Sequence, residues 1–438
     1  MSFQLDKLAN GLQVLRLPVE RVESVSVIAL VRTGSRYESE NEFGVAHFLE
    51  HMVFKGTKKY PSTKVISQTL DGIGAMYNAF TSEESTAFFI QAASDKLDLA
   101  MDMVGQMVTQ ALISSEEIKR ERGVILEEIH MYRDQPDAHN TNIFNRMFYA
   151  GCGLAHDILG TPESVAKISR KNFQKYLDIW YGPGNMVLVL AGKAAVIKQP
   201  DILAKATAAF NFPKSRAAHP HQRQFWVQNF SYGRRLHLEQ RDTQQMHYVL
   251  GWPGINRFDQ RDEVLALLSV IVGGNMSSRL FTQVRERRGL CYYVNSFADM
   301  YSDVGCFGAS AGVNPQKLLE ALKVTLAEFD HLFGGKNAIT AAELARAKDY
   351  LRGHLILAEE SVQAHAISCG MRYLHEGKIV TVQDRLRAIK MVTLEQVLDL
   401  AKQLIVKDKL RLSAIGNFTT RQRQEIQQLL AVNEQDIF

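Results

Sequence analysis

No stretch of this 438-residue chain stays apolar for long. The best runs, residues 25–31, 186–191 and 264–272, fall far short of the roughly 20 residues that a bilayer-spanning helix requires, which argues against a membrane span. Cysteine is scarce. Cys152, Cys291, Cys306 and Cys369 are scattered without a C-x-x-C pair, so neither a disulfide framework nor a thiolate zinc site is indicated. Charge of one sign is not in excess either: the formal net charge is +4 and basic residues interleave with acidic ones, which argues against a nucleic-acid partner. Residues 1–7 hold no apolar signal core, and the expected location of the chain as written is the cytoplasm.

What remains is the composition of a globular protein, 46% hydrophobic and 22% charged, and long enough for two or three cores. The first half opens with β-type runs over residues 12–17 and 25–32, then a helical pattern over 42–54 that Gly56 ends. A second β-rich run covers 85–92, and helical patterns follow at 96–110, 115–132, 138–149 and 169–180. A buried strand at 185–191 closes this half. Residues 193–221, with Pro200, Pro213 and Pro220, read as a linker. The order then repeats about 220 residues later, with strands at 236–239, 246–252 and 410–415 and helices at 262–272, 315–332, 341–357 and 394–404. The expected domains are therefore 1–192, a linker 193–221, and 222–438. The expected class is α+β, two homologous α/β units, each a mostly antiparallel sheet packed against helices.

The informative stretch is His47-Phe48-Leu49-Glu50-His51. On a helix advancing about 100° per residue, His47 and His51 lie roughly 40° apart, so both imidazoles leave one face and can grip one ion. Glu50 lies about 60° to the other side of His47, near enough to meet a metal-bound water without serving as a ligand. Farther on, Ile118, Glu121, Ile125, Glu128 and Tyr132 project to one side of a second helix. Two carboxylates on an apolar stripe are costly unless something positive waits there. Glu127 points about 100° away from Glu128 and is the weaker ligand candidate. His156, alone in a loop, carries no expected role.

The run from Gly34-Ser35-Arg36 through Glu38 and Gly44 to Phe54-Lys55-Gly56-Thr57 resembles the signature of the pitrilysin and insulinase metallopeptidases, and in particular their short-chain branch with the mitochondrial processing peptidases. H-x-x-E-H is the inverzincin motif. The resemblance spans the whole chain and is most specific over residues 34–57. It implies one Zn²⁺ per chain on His47, His51 and Glu128, with Glu121 hydrogen-bonded to a ligating group and Glu50 as general base. It implies further that Asn78-Ala79-Phe80-Thr81 form an edge strand to which an extended peptide adds. Arg285 and Tyr292, seven residues apart, match a pair that contacts substrate; without the resemblance, Arg285 would read as a solvated helix residue and Tyr292 as a packed strand residue. A helix is expected from Gly273 to Gly289 before the strand 291–297. The second repeat has Val264, Leu267, Leu268 and Ile271 where the first has its metal motif, and so cannot bind the ion.

The activity so implied is zinc-dependent endopeptidase hydrolysis of peptides or unfolded polypeptide segments inside a dimeric chamber, the partner chain supplying the arginine and tyrosine. A homodimer is expected because one chain carries both sets. Two alternatives are a non-catalytic partner subunit, in which a missing ligand would be expected, and a peptide-binding module that keeps a metal for stability.

Overall fold

A computed structural model describes residues 3–216 and 233–437. The last part of the expected linker, residues 217–221, lies outside the described residues. The strands fall into two sheets. The first holds β1 (Gln4–Lys7), β2 (Gln13–Val19), β3 (Ser24–Val31), β4 (Met76–Thr81), β5 (Thr86–Ala93) and β6 (Met186–Lys193), in the order β1-β2-β6-β3-β5-β4. The second holds β7 (Leu236–Gln240), β8 (Met246–Pro253), β9 (Cys291–Met300), β10 (Gly305–Val313) and β11 (Arg411–Gly416), in the order β7-β11-β8-β10-β9. Without β1 the two orders match strand for strand, and among the described residues each sheet has one parallel pair of strands, β2 with β6 and β7 with β11. The repeated α+β unit expected from the sequence is present.

The boundaries between the units differ from those expected. One compact unit gathers residues 3–130, 156–216 and 357–381, and the other gathers 131–155, 233–356 and 382–437. The reason lies in the strands themselves. β3 and β6 are buried along almost their whole length, so the first sheet needs cover on both faces. The helices Val45–Val53 and Leu97–Gln110 pack with Val25, Val27 and Ala29 on one face. Leu15, Leu17, Ile28, Leu30 and Val189 on the other face are covered by Val362, Ala366, Tyr373 and Leu374 of the helix Val362–Glu376, late in the chain. In the second unit the helix Pro136–Phe148, early in the chain, does the same for β8 and β11. Its Asn140 is fully buried, taking a hydrogen bond from Ser413 Oγ at 2.6 Å and donating to the Ser413 carbonyl at 3.2 Å.

The expected linker is also corrected over its described part. The helix Ala194–Ile197 packs on β2 and β6, and the helix Ile202–Ala209 packs on Leu97–Gln110. Ile197, Ile202, Ala206 and Phe210 are buried in the first core, so these residues close the first unit rather than leave it. The helix expected at 138–149 begins with Pro136 in its first turn, where a missing N–H costs nothing. Among the described residues, no helix is long and apolar enough to cross a membrane.

Candidate metal centre

The loop before His47 is built to fix one helix start. Gly34 has no room for a side chain, because a Cβ there would stand 1.9 Å from the Ser82 carbonyl oxygen. Arg36 is buried and pairs with the buried Glu84 at 2.8 Å. Glu38 then reaches forward, accepting from Gly44 N–H and Ala46 N–H, each at 2.7 Å. Those amides belong to the first turn, whose N–H groups have no partner within the helix, and a carboxylate suits the positive end of the helix dipole. Gly44 itself is left-handed, at φ 91°. The helix is therefore Val45–Val53, shorter than the expected 42–54, with a separate 3-10 turn at Glu40–Glu42 before it.

This helix and the helix Ser115–Asp134 bring three side chains together. His47 Nε2 lies 3.7 Å from Glu128 Oε1, and His51 Nε2 lies 3.6 Å from Glu128 Oε2. One donor atom from each of His47, His51 and Glu128 falls within 4.8 Å of the other two. Donors bound tetrahedrally to one zinc ion stand roughly 3.3–3.6 Å apart, so the set fits a divalent ion with little movement. His47 is buried, its Nδ1 has no hydrogen-bond partner among the described residues, and burial with His51 beside it pushes its pKa down to about 3. It is neutral at physiological pH and has a lone pair to offer.

Around these three stand the other carboxylates. Glu121 Oε1 is 2.9 Å from His51 Nδ1, and Glu121 Oε2 is 2.7 Å from Lys55 Nζ. Burial alone would raise the Glu121 carboxyl, but the bonds to His51 and Lys55 outweigh it and hold it below the usual range. Glu50 Oε2 accepts from Thr81 Oγ1 at 2.6 Å, and burial pushes its carboxyl up. Ile118, Glu121 and Ile125 form a buried stripe as expected, whereas Tyr132 is exposed and Glu127 faces solvent.

Asn78, Ala79, Phe80 and Thr81 lie in β4, an outer strand of the first sheet, next to the His47 helix. Among the described residues β4 pairs only with β5, which leaves its other edge open. Arg285 and Tyr292 belong to the second unit and form a group of their own. Of the expected helix 273–289 only residues 279–286 are helical, since residues 274–278 form a bend and turn after the preceding helix ends at Gly273, and most of that short helix is a wider π-helical turn at Phe281–Glu286. It places the Arg285 guanidinium 4.9 Å from the Phe281 ring centre and 5.6 Å from that of Tyr292. Tyr292 is 73% exposed, so it is not a packed strand residue. Sequence reasoning missed the parts played by Lys55, Thr81 and Phe281. The four-residue spacing of Lys55 from His51 hints at nearness to that histidine but carries no sign of Glu121.

The insulinase (peptidase family M16) sequence profile matches residues 18–162, and the profile of the peptidase M16 inactive domain matches residues 167–351. The chain is 32% identical to an uncharacterized zinc protease of Streptomyces coelicolor over 97% of this chain and 92% of that one. It is 31% identical to an uncharacterized zinc protease of Bacillus subtilis over 91% of this chain and 95% of that one. Among solved structures, a protease from Helicobacter pylori shares the fold with a TM-score of 0.85 at 21% identity, over 95% of this chain and 99% of that one. A chain of complex III2 from Candida albicans shares it with a TM-score of 0.80 at 16% identity, over 99% of this chain and all of that one. With relatives of matching length and identity across both halves, the chain belongs to the insulinase family of peptidases, M16.

Proposed function

We propose that this protein is a zinc-dependent endopeptidase that hydrolyses peptides or unfolded polypeptide segments, with one Zn²⁺ per chain held by His47, His51 and Glu128. The observation that carries this reading is the convergence of one donor atom from each of two imidazoles and a carboxylate within 4.8 Å, with a further carboxylate, Glu50, on the helix of the two histidines. When bound, the ion supplies Lewis acidity, polarising a carbonyl and making water acidic enough to lose a proton near neutral pH. Glu50 is the general base. Held at one oxygen by Thr81, it takes the proton of the attacking water at the other and delivers it to the leaving amine as the C–N bond breaks. Glu121 keeps the His51 Nδ1 proton in place, so that Nε2 presents its lone pair.

The open edge of β4 supports the substrate reading. An extended peptide adds there through main-chain hydrogen bonds, with Asn78 to Thr81 as its partner strand. Such docking reads backbone more than side chains, which suits unfolded substrates of varied sequence. Thr81 then both borders the peptide and holds the base. The remaining roles follow the family resemblance: two chains pair around the site, and Arg285 and Tyr292 of the partner order the substrate and stabilise the oxyanion.

The test is Glu50→Gln. Zinc content should stay near one ion per chain, while hydrolysis of an unfolded peptide falls by about 10²–10⁴-fold. Turnover equal to that of the unchanged protein would remove Glu50 as the base. A zinc-loaded unchanged protein that cleaves nothing would favour the peptide-binding alternative.

A further inference from the structure

Lys55 follows the end of the helix Val45–Val53 and stands four residues beyond His51. Its Nζ is 2.7 Å from Glu121 Oε2, on the side of the carboxylate away from His51. This is not a solvated surface pair, since the two side chains are only 22% and 8% exposed. A buried carboxylate oxygen left without a partner is costly, and a neutral imidazole can supply just one N–H, to one oxygen. The second oxygen falls to Lys55.

We infer that Lys55 is a positioning residue for the metal site: it holds the Glu121 carboxylate in place, and Glu121 in turn fixes His51 with its proton on Nδ1 and its lone pair on Nε2. This rests on the reading that His51 ligates the metal through Nε2. Without Lys55, Glu121 would be free to turn toward solvent, and His51 would lose the acceptor that selects its tautomer. The chain is specific to the geometry. His51 is in the last turn of the helix and Lys55 in the turn that follows it, and Glu121 bridges them with one oxygen to each.

The test is a double-mutant cycle on the full chain, read as zinc affinity by chelator competition and as His51 tautomer by ¹⁵N NMR of the zinc-free protein. Lys55→Met should weaken zinc binding about 10-fold or more and raise the fraction of His51 protonated on Nε2, while Lys55→Arg restores both. In a Glu121→Gln background, Lys55→Met should cost nothing further, because an amide oxygen accepts the Nδ1 proton without a cation beside it. Lys55→Gln gives a second neutral variant should the methionine variant not fold. Unchanged zinc affinity and unchanged tautomer in both neutral variants would overturn the inference, and so would an equal loss in both backgrounds. If the unchanged protein bound no zinc, the metal reading itself would fail, and the tautomer measurement would still decide whether Lys55 acts on His51.

Discussion

Glu38 shows how much one side chain can organise. It satisfies two first-turn amides of the helix that carries His47, Glu50 and His51, and thereby sets where that helix begins. Replacing Glu38 with alanine leaves those amides without their acceptor, and the expected loss is about 1–3 kcal/mol of unfolding free energy with weaker zinc binding. Chemical denaturation and chelator competition check this; no change in either would mean that the carboxylate is dispensable. At this scale the sequence was legible where local geometry decides. Helix periodicity alone puts His47 and His51 on one face, and it sets Glu128 apart from Glu127. Thr81 beside Glu50 and Lys55 beside Glu121 were not legible. Those bonds join residues 31 and 66 positions apart along the chain, and no local spacing encodes them.

At the scale of elements, the covering helix Val362–Glu376 lies so close to the first sheet that a Cβ on Gly370 would stand 2.6 Å from Leu30 Cδ1 and 2.7 Å from Val189 Cγ2. Gly370→Leu should therefore cost about 1–3 kcal/mol by overpacking, seen as a lower denaturation midpoint. A second element contact adds pH dependence. Arg279 donates from Nε and Nη2 to the two Glu343 oxygens at 2.6 and 2.9 Å, while Thr340 caps the same carboxylate. Burial would raise the Glu343 carboxyl, but these bonds outweigh it and hold it below 4.5. The stability it contributes is present at neutral pH and lost as pH falls through 4.5 toward the folded value. The unchanged protein should therefore be more stable than Glu343→Gln near neutral pH, with the gap closing on acidification. A gap that stayed constant would contradict this. The central strands were readable from their Val, Ile and Leu runs, whereas β1 and the glycine- and alanine-rich β10, which lack such runs, were not. The exchanged helices were not, because an amphipathic pattern says that a helix is covered on one side but not by which sheet. For the same reason residues 194–209, weak in pattern and interrupted by Pro200, looked like a linker although they pack in the first core.

For the whole molecule, the repeat and the family signature carried most of what the sequence offered. Matching strand orders in the two sheets are what a repeat offset by about 220 residues implies. Pairing of chains is a separate proposal with its own test. If Arg285 serves the partner's metal site, a Glu50→Gln chain and an Arg285→Gln chain should each be nearly inactive alone. Mixed and re-paired in equal amounts, they should recover roughly a quarter of normal turnover, since half the dimers would hold one complete site. No recovery, with mixed dimers verified, would place the arginine on its own chain's site or nowhere near one. The most direct measurement for the molecule as a whole is zinc-edge anomalous diffraction from crystals of the full chain. The expected result is one peak per chain bounded by His47 Nε2, His51 Nε2 and the Glu128 carboxylate. A peptide-cleaving protein whose zinc peak lay elsewhere, or that gave none, would contradict it.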